Sequence, residues 1–534
     1  MERSNASSRL ARLPWRPSAT VSLATLGVIL LTIGVYLARA GAAPSDNWPS
    51  SLNLLSSDNG ILFEVSRDIV RGVTLDWSFS PQVYVFPEIP ISLIAYLLSG
   101  GAIDWYFIAV AAIDMALIFL VFVGLAAALW RERIGRSVAR ALIATMPLLL
   151  MPLVAEQKTY LFQLFPTYYY GMMLFGLALP LAILSPRRWV RLGVLAAWAL
   201  TGAANPLLFA MSLPGVALSA IAVLARPDRR SSGLVPALAW TLGSLLVAVL
   251  VRLVFFNPIA GTDPASYISL ERAEQRMREI SGTFRDGFTL SFDPWLLGLS
   301  WVAIGACVLL AGWTGWRLAR KPSLAPEERN DLVARFYLAT LPVLGVVAMA
   351  AILALHVYYL WFALVGSIAI AALLLPPRRF VRPVAIALVL LTAIGATWGI
   401  SNGLYSNGRY FGFRSAVTAC LDAVVPGQTG YSTFSDARPL SLPSRTGVTL
   451  IAINDDLSPN FWLTNRSYSK ERLGTFVLVN PDTVQAPIAP ATIRAAWGMP
   501  ERRFQCGPAE VWTYPSEDQQ QRLATWFDAY RDLR

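Results

Sequence analysis

Eleven apolar runs, each long enough to cross about 30 Å of hydrocarbon, fill most of the first 400 residues and leave the chain few folds to choose from. They lie near 21–43, 104–130, 139–155, 169–185, 190–204, 206–225, 234–256, 295–317, 335–355, 357–375 and 381–400. With 55% hydrophobic and only 14% charged residues, the protein is expected to be integral to a membrane. The first run follows a basic leader and resembles a signal peptide, but its apolar core is long, and an uncleaved anchor is expected. The net charge of +11 does not point to nucleic acid, because the arginines fall in short runs between apolar segments and form no single patch. Those cationic connections are the N-terminus, 131–140, 186–191, 226–230, 317–329 and 378–382. If spans alternate, all of them lie on one side, which the positive-inside rule makes cytoplasmic. The connection after the first span and everything after about Ser401 then lie outside. The spans themselves read as nearly free of charge, with Arg252 the exception.

The first external loop, 44–103, constrains function most. Its stretch from Ser57 to Gly101 cannot cross a membrane, since Asp58, Glu64, Arg67, Asp68, Arg71, Asp76 and Glu88 would each cost about 2.5 to 3.5 kcal/mol at mid-bilayer. Residues 58–71 nevertheless read as a helix. Ile61, Leu62, Val65 and Ile69 fall on one face, and Glu64, Arg67, Asp68 and Arg71 on the other, so the helix is expected to lie flat on the membrane. Gly72 suits a left-handed cap. Asp58 in the first turn is either an N-cap or a functional carboxylate, held ionised by the helix dipole. Glu88 stands in Phe86-Pro87-Glu88-Ile89-Pro90, ahead of an apolar run too short to span.

Four further positions suggest contact with a ligand. Glu156 and Lys158 occupy the next external connection, and Lys158 is the only lysine expected in an external membrane loop, where a point cation suits a phosphate. Arg285 belongs to the loop 257–292, which carries a second surface helix (ERAEQRMREI). His356, the single histidine, sits at the outer end of the ninth run. Each has a plainer reading as an interfacial or headgroup-contacting side chain.

From Asn402 the composition becomes that of a soluble α/β domain, 402–534, following a transmembrane domain, 1–401. Val448–Asn454, Thr475–Asn480 and Ala509–Tyr514 read as strands, and Phe411–Val424 and Asp518–Asp532 as helices. An external compartment oxidises thiols, so Cys420 and Cys506 are expected to form a disulfide.

Asp58, Gly72 and Phe86–Pro90 together resemble the first external loop of the GT-C glycosyltransferases, nearest the protein O-mannosyltransferase and lipid A aminoarabinose transferase branch. There an Asp-Glu pair opens a surface helix and a Pro-rich turn leads to the next span; here Asn59 stands in place of the second acid. The resemblance implies an α-helical polytopic fold of about eleven transmembrane helices with a small extracytoplasmic α/β domain. It also implies inverting transfer of a hexosyl or pentosyl group from a polyprenyl-phosphate donor to a hydroxyl of an envelope glycan, lipid or protein at the plasma (inner) membrane. Asp58 would be the catalytic base, Glu88 and Glu156 would position sugar hydroxyls, and Lys158, Arg285 and His356 would hold the phosphate. A divalent cation such as magnesium or manganese would suit the carboxylates, although no spacing specifies one. No P-loop, GxSxG, HExxH or CxxC pattern competes. The rival reading is a lipid or polysaccharide transporter, which would place charges at mid-span and show paired halves.

Overall fold

The computed structural model describes residues 18–40, 57–80, 82–155, 164, 170–224, 234–260, 293–320, 324–353, 361–375, 378–404, 414–471, 473–483 and 487–528. Every expected span carries a helix: α1 (Ala19–Ala40) before the first loop; α2 (Ser57–Arg71), strand β1 (Trp77–Ser78) and α3 (Glu88–Leu98) within it; then α4 (Ile103–Trp130) and α5 (Ile134–Val154). Next come α6 (Tyr170–Ala178), α7 (Leu181–Leu184), α8 (Arg188–Ala204), α9 (Leu207–Leu224), α10 (Leu234–Val251), α11 (Pro294–Arg320), α12 (Pro326–Leu353), α13 (Trp361–Leu374) and α14 (Val381–Gly399). Among the described residues six helices are by themselves long and apolar enough to cross a membrane, and shorter apolar helices accompany them. The chain is a multi-pass helical membrane protein. Its fourth expected span is two helices rather than one, α6 and α7, broken where Pro180 removes a backbone donor.

Helices α1, α4, α5 and α14 pack as one group, α9, α11, α12 and α13 as another, and α8 bridges α6 and α10. The faces left uncovered are apolar: Leu242, Leu246 and Leu250 on α10, Val302 and Leu309 on α11, and Ile386, Leu390 and Ile394 on α14 are all exposed. That is the surface expected of helices bathed in lipid, where side chains pay no penalty for being apolar and outside. At the far end of α4 from the loop, three cationic connections meet. Arg378 pairs with Glu132 at 3.1 Å, Arg131 with Glu327, and Arg317 with Glu328 at 3.0 Å. Arg140 and Arg335 sandwich the Trp130 ring at 3.8 and 4.1 Å.

Beyond the helices lies a five-stranded sheet. The elements run α15 (Ala416–Val424), β2 (Thr429–Thr433), α16 (Phe434–Ser441), β3 (Thr449–Ile453), β4 (Thr464–Asn465), α17 (Arg466–Glu471), β5 (Phe476–Val479), α18 (Pro490–Trp497), β6 (Arg502–Cys506), β7 (Ala509–Thr513) and α19 (Glu517–Asp528). Strand order is β3-β2-β5-β7-β6, with β3, β2 and β5 parallel and β7 and β6 antiparallel to their neighbours. Both faces are covered, so β5 reads as a continuous apolar run. Phe476 and Leu478 point toward α15, α16 and α2; Val477 and Val479 point toward α18 and α19. Cys420 and Cys506 form the disulfide, tying α15 to β6 across 86 residues.

Candidate functional site

The loop helix α2 forms where the apolar spacing puts it and ends where Gly72 adopts φ +66°. The Val73 N–H donates to the Asp68 carbonyl and the Gly72 N–H to the Ile69 carbonyl, the paired bonds of a Schellman cap. Its apolar face packs on the sheet region and the membrane helices through Ile61, Leu62 and Val65. The expectation that its polar face meets water or headgroups is corrected by the structure. Glu64 and Asp68 are buried because the C-terminal region covers them. Glu64 accepts a hydrogen bond from Arg438 Nε at 2.6 Å. Asp68 accepts from the Tyr468 hydroxyl and from Asn465 Nδ2 at 3.0 Å, and Asp76 pairs with Arg466 at 2.8 Å. Strands β1 and β4 add a short antiparallel ladder, Trp77 opposite Asn465. At Gly60 the approach is close enough that a Cβ would come within 2.5 Å of the Leu442 side chain and 3.3 Å of Arg438.

Asp58 lies in the first turn of α2, half-buried. Its carboxylate has no hydrogen bond or ion pair to another described residue. Desolvation pushes its pKa above the usual carboxylate range, and the nearby Arg438 guanidinium opposes that shift. Burial therefore sets the direction of the shift at Asp58, against the pull of the Arg438 charge. What results is a carboxylate of raised basicity with no hydrogen bond or ion pair among the described residues, near a cation that belongs to α16.

Glu88 opens α3 after a cis Phe86-Pro87 bond and is 6% exposed. Oε1 accepts the Gly171 N–H at 3.1 Å. Burial raises its pKa to about 7 against the pull of that bond and of its own backbone N–H. Only a glycine fits at 171, since a Cβ there would lie 2.4 Å from Pro87 and 2.8 Å from Oε1. The neighbouring Tyr170 hydroxyl donates to the Asp114 carbonyl at 2.9 Å, so the first turn of α6 fixes α3 and α4 together. Under α2 a chain of hydroxyls continues the polar layer. Ser92 donates to the Leu62 carbonyl at 2.7 Å and meets Ser66 at 2.7 Å and Tyr106 at 2.6 Å.

Solved structures similar to this chain include two with the same name. Both are ArnT from Cupriavidus metallidurans. The one bound to undecaprenyl phosphate is 16% identical over 93% of this chain and 99% of that one, and the apo state is 15% identical over 93% and 98%, each with a TM-score of 0.49. No family model and no curated protein matches.

Asp58 and Glu88 thus occupy separate settings, the first beside α16 and the second between α4 and α6, with no interaction between them among the described residues. Glu156, Lys158, Arg285 and His356, with the surface helix expected around 271–280, lie outside the described residues. Among those described, no group of three or more His, Cys, Asp or Glu is placed to hold a metal ion. Arg252 caps α8 by donating to the Ala203 and Ala204 carbonyls. Two residues escaped the sequence reading. Arg438 sits in a short helix with no periodic signal, whereas Asp114 was in plain view as the one carboxylate in the interior of an apolar run, and it corrects the expectation that Arg252 alone breaks the spans.

Proposed function

We propose that the protein is an extracytoplasmic glycosyltransferase that moves a sugar from a polyprenyl-phosphate carrier to a hydroxyl of an envelope glycan, lipid or protein. The observation that carries this reading is Asp58: a half-buried carboxylate with raised pKa and no hydrogen bond or ion pair among the described residues, on a helix that cannot span the membrane, where lipid-borne and water-borne substrates can meet. Asp58 takes the acceptor proton as the glycosidic bond to phosphate breaks, which inverts the anomeric centre if the acceptor attacks from the opposite face. Glu88 and Glu156 position sugar hydroxyls, and Lys158, Arg285 and His356 neutralise the departing phosphate. The chain sits in the plasma (inner) membrane with its N-terminus in the cytoplasm. Residues 402–534 form an external domain that closes over the loop helix and contributes to the acceptor side.

The transporter reading has one observation in its favour, the carboxylate of Asp114 inside a span. Purified protein in proteoliposomes separates the two. Given a polyprenyl-phosphate sugar and an envelope acceptor, the wild type should form glycosylated product, and Asp58→Asn and Asp58→Ala should lower turnover by at least 100-fold with unchanged expression and membrane insertion. Full turnover in both variants removes Asp58 as base; movement of lipid across the bilayer without product supports the transporter.

A further inference from the structure

The face of the C-terminal sheet that lies under α18 and α19 carries a cluster of donors that the transfer chemistry leaves unused. Arg503 on β6 stands opposite Trp512 on β7, with its guanidinium 4.4 Å from the centre of that ring, and Arg494 of α18 lies over the same ring at 5.3 Å. Trp512 is buried, whereas both arginines are exposed, and neither guanidinium has an ion pair or hydrogen bond among the described residues. One residue past β7, Tyr514 is fully buried, and its hydroxyl has no hydrogen-bond partner among the described groups. Burial raises its pKa while the charges of Arg503 and Arg494 oppose the rise, so both guanidiniums act on the same oxygen. Trp497, three residues after Arg494, meets the Tyr514 ring edge-on at 6.0 Å, and its Nε1 is a second buried donor without a partner. Guanidinium and indole groups only donate, so the Tyr514 proton finds no acceptor among them, a costly state for a buried hydroxyl.

Charge and position narrow what would complete the cluster. Glu510 accepts the Trp512 Nε1 proton at 2.6 Å, and Glu501 lies 3.9 Å from Arg502, which strand alternation turns to the other face of β6. Two arginines and Glu510 around the Trp512 ring leave one positive charge, which suits a singly charged oxyanion, and a carboxylate matches the guanidinium fork. Trp497, Trp512 and Tyr514 belong to the apolar cluster under α18 and α19, on the opposite side of the sheet from the one packed on α2. A ligand therefore reaches them from the water side rather than from the lipid headgroups.

We propose that Arg494, Arg503 and Tyr514 form a carboxylate-binding site on the C-terminal domain, whose ligand is a sugar acid or a glycan that carries one. The carboxylate lies between the two guanidiniums and accepts the Tyr514 proton. Both arginines hold exposed positions, and their swing off the Trp512 ring opens the way to the hydroxyl. The site is separate from Asp58 and needs no turnover; only the expectation that its ligand is an envelope glycan rests on the external placement of the domain in the transferase reading.

Titration calorimetry of the purified full-length protein with glucuronate, glucose and glucose 6-phosphate tests the site. The wild type should bind glucuronate saturably and glucose not at all. Arg494→Gln and Arg503→Gln should each weaken glucuronate binding by about 10-fold or more, and Tyr514→Phe by about 3-fold. Arg502→Gln, on the other face of β6, should stay within about 2-fold of the wild type. Without ligand, Tyr514→Phe should melt at or above the wild-type temperature, since it removes a buried donor that has no partner, so its weaker binding cannot come from misfolding. Absence of saturable glucuronate binding by the wild type overturns the proposal, as does equal binding of glucose. Tighter binding of glucose 6-phosphate overturns the carboxylate assignment. A loss in Arg502→Gln as large as that in Arg503→Gln overturns the site, because the attraction would then be the general charge of the sheet edge. If glucuronate binds as expected while the proteoliposomes form no product, the transferase reading fails alone; product without glucuronate binding leaves that reading standing and removes this one.

Discussion

Glu88 lies where ionisation is costly, enclosed by α3, α4 and α6 and offered one backbone N–H by Gly171. Its pKa is raised to about 7 from an ordinary 4.5, so the folded protein binds this proton more tightly than the unfolded chain does. The sign follows from linkage: the stabilisation is fully present below about pH 4.5 and is lost as pH rises through about 7. The amount is on the order of 3 kcal/mol. Melting in detergent should therefore show a temperature that declines over this window, on top of whatever the other groups contribute. Glu88→Gln, which imitates the protonated form, should flatten that decline while matching the wild type at low pH. A wild-type slope unchanged in Glu88→Gln would mean that this carboxyl is already ionised in the fold. The sequence offered the position of Glu88 in its proline frame but not its environment, because the groups that enclose it come from 26 and 83 residues further along, at Asp114 and Gly171.

The loop helix α2 shows how far periodicity reaches. Its helical form, its apolar face and its glycine cap were all legible, since each depends on residues within a few turns. Its covering was not: Glu64 meets Arg438, which lies 374 residues away in a helix whose sequence, FSDARPLS, contains a proline and no apolar repeat. For the same reason β3, β5 and β7 could be read from their apolar runs, whereas the glycine-containing β2 and the mostly exposed β6 could not. The Glu64–Arg438 pair is almost dry, with side-chain exposures of 12% and 7%. Removing one partner strands a buried charge, so Arg438→Ala should destabilise the contact between α2 and the C-terminal region by about 3–5 kcal/mol. Combining Glu64→Leu with Arg438→Met should cost less than either single change. Limited proteolysis of the 442–463 segment, alongside melting, reads the loosening; additive losses in the double variant would show that the two residues are not coupled. Arg438 also opposes the raised pKa of Asp58, so its loss should carry the acid limb of any turnover profile to higher pH.

The whole molecule has two unlike ends. The many-helix membrane character and the order of the helices were legible because hydrocarbon thickness sets a length that apolar runs reveal. Asp114 shows where that reading fails, since a single interior acid, with Asp104 in the first turn, barely changes the mean hydropathy of the 28-residue α4. At one end of α4 the cationic connections are joined by Arg378–Glu132 and Arg131–Glu327; at the other lie α2, the sheet and the Cys420–Cys506 disulfide. With 28 residues at about 1.5 Å each, α4 keeps these ends about 42 Å apart, enough to put a bilayer's hydrocarbon between them. Positive charge favours the cytoplasm and disulfides favour an oxidising compartment, so two unrelated forces support the same proposed orientation. The described cysteines leave a clean background for testing it, because Cys307 is buried and the other two are bonded. A single thiol introduced by Ala325→Cys, next to the cationic cluster, should react with a membrane-impermeant maleimide only after cells are lysed. One introduced by Glu517→Cys, on exposed α19, should react in intact cells once the outer barrier is made permeable. Labelling of both residues from the same side would break the orientation, and with it the external position of Asp58 on which transfer from a lipid carrier depends.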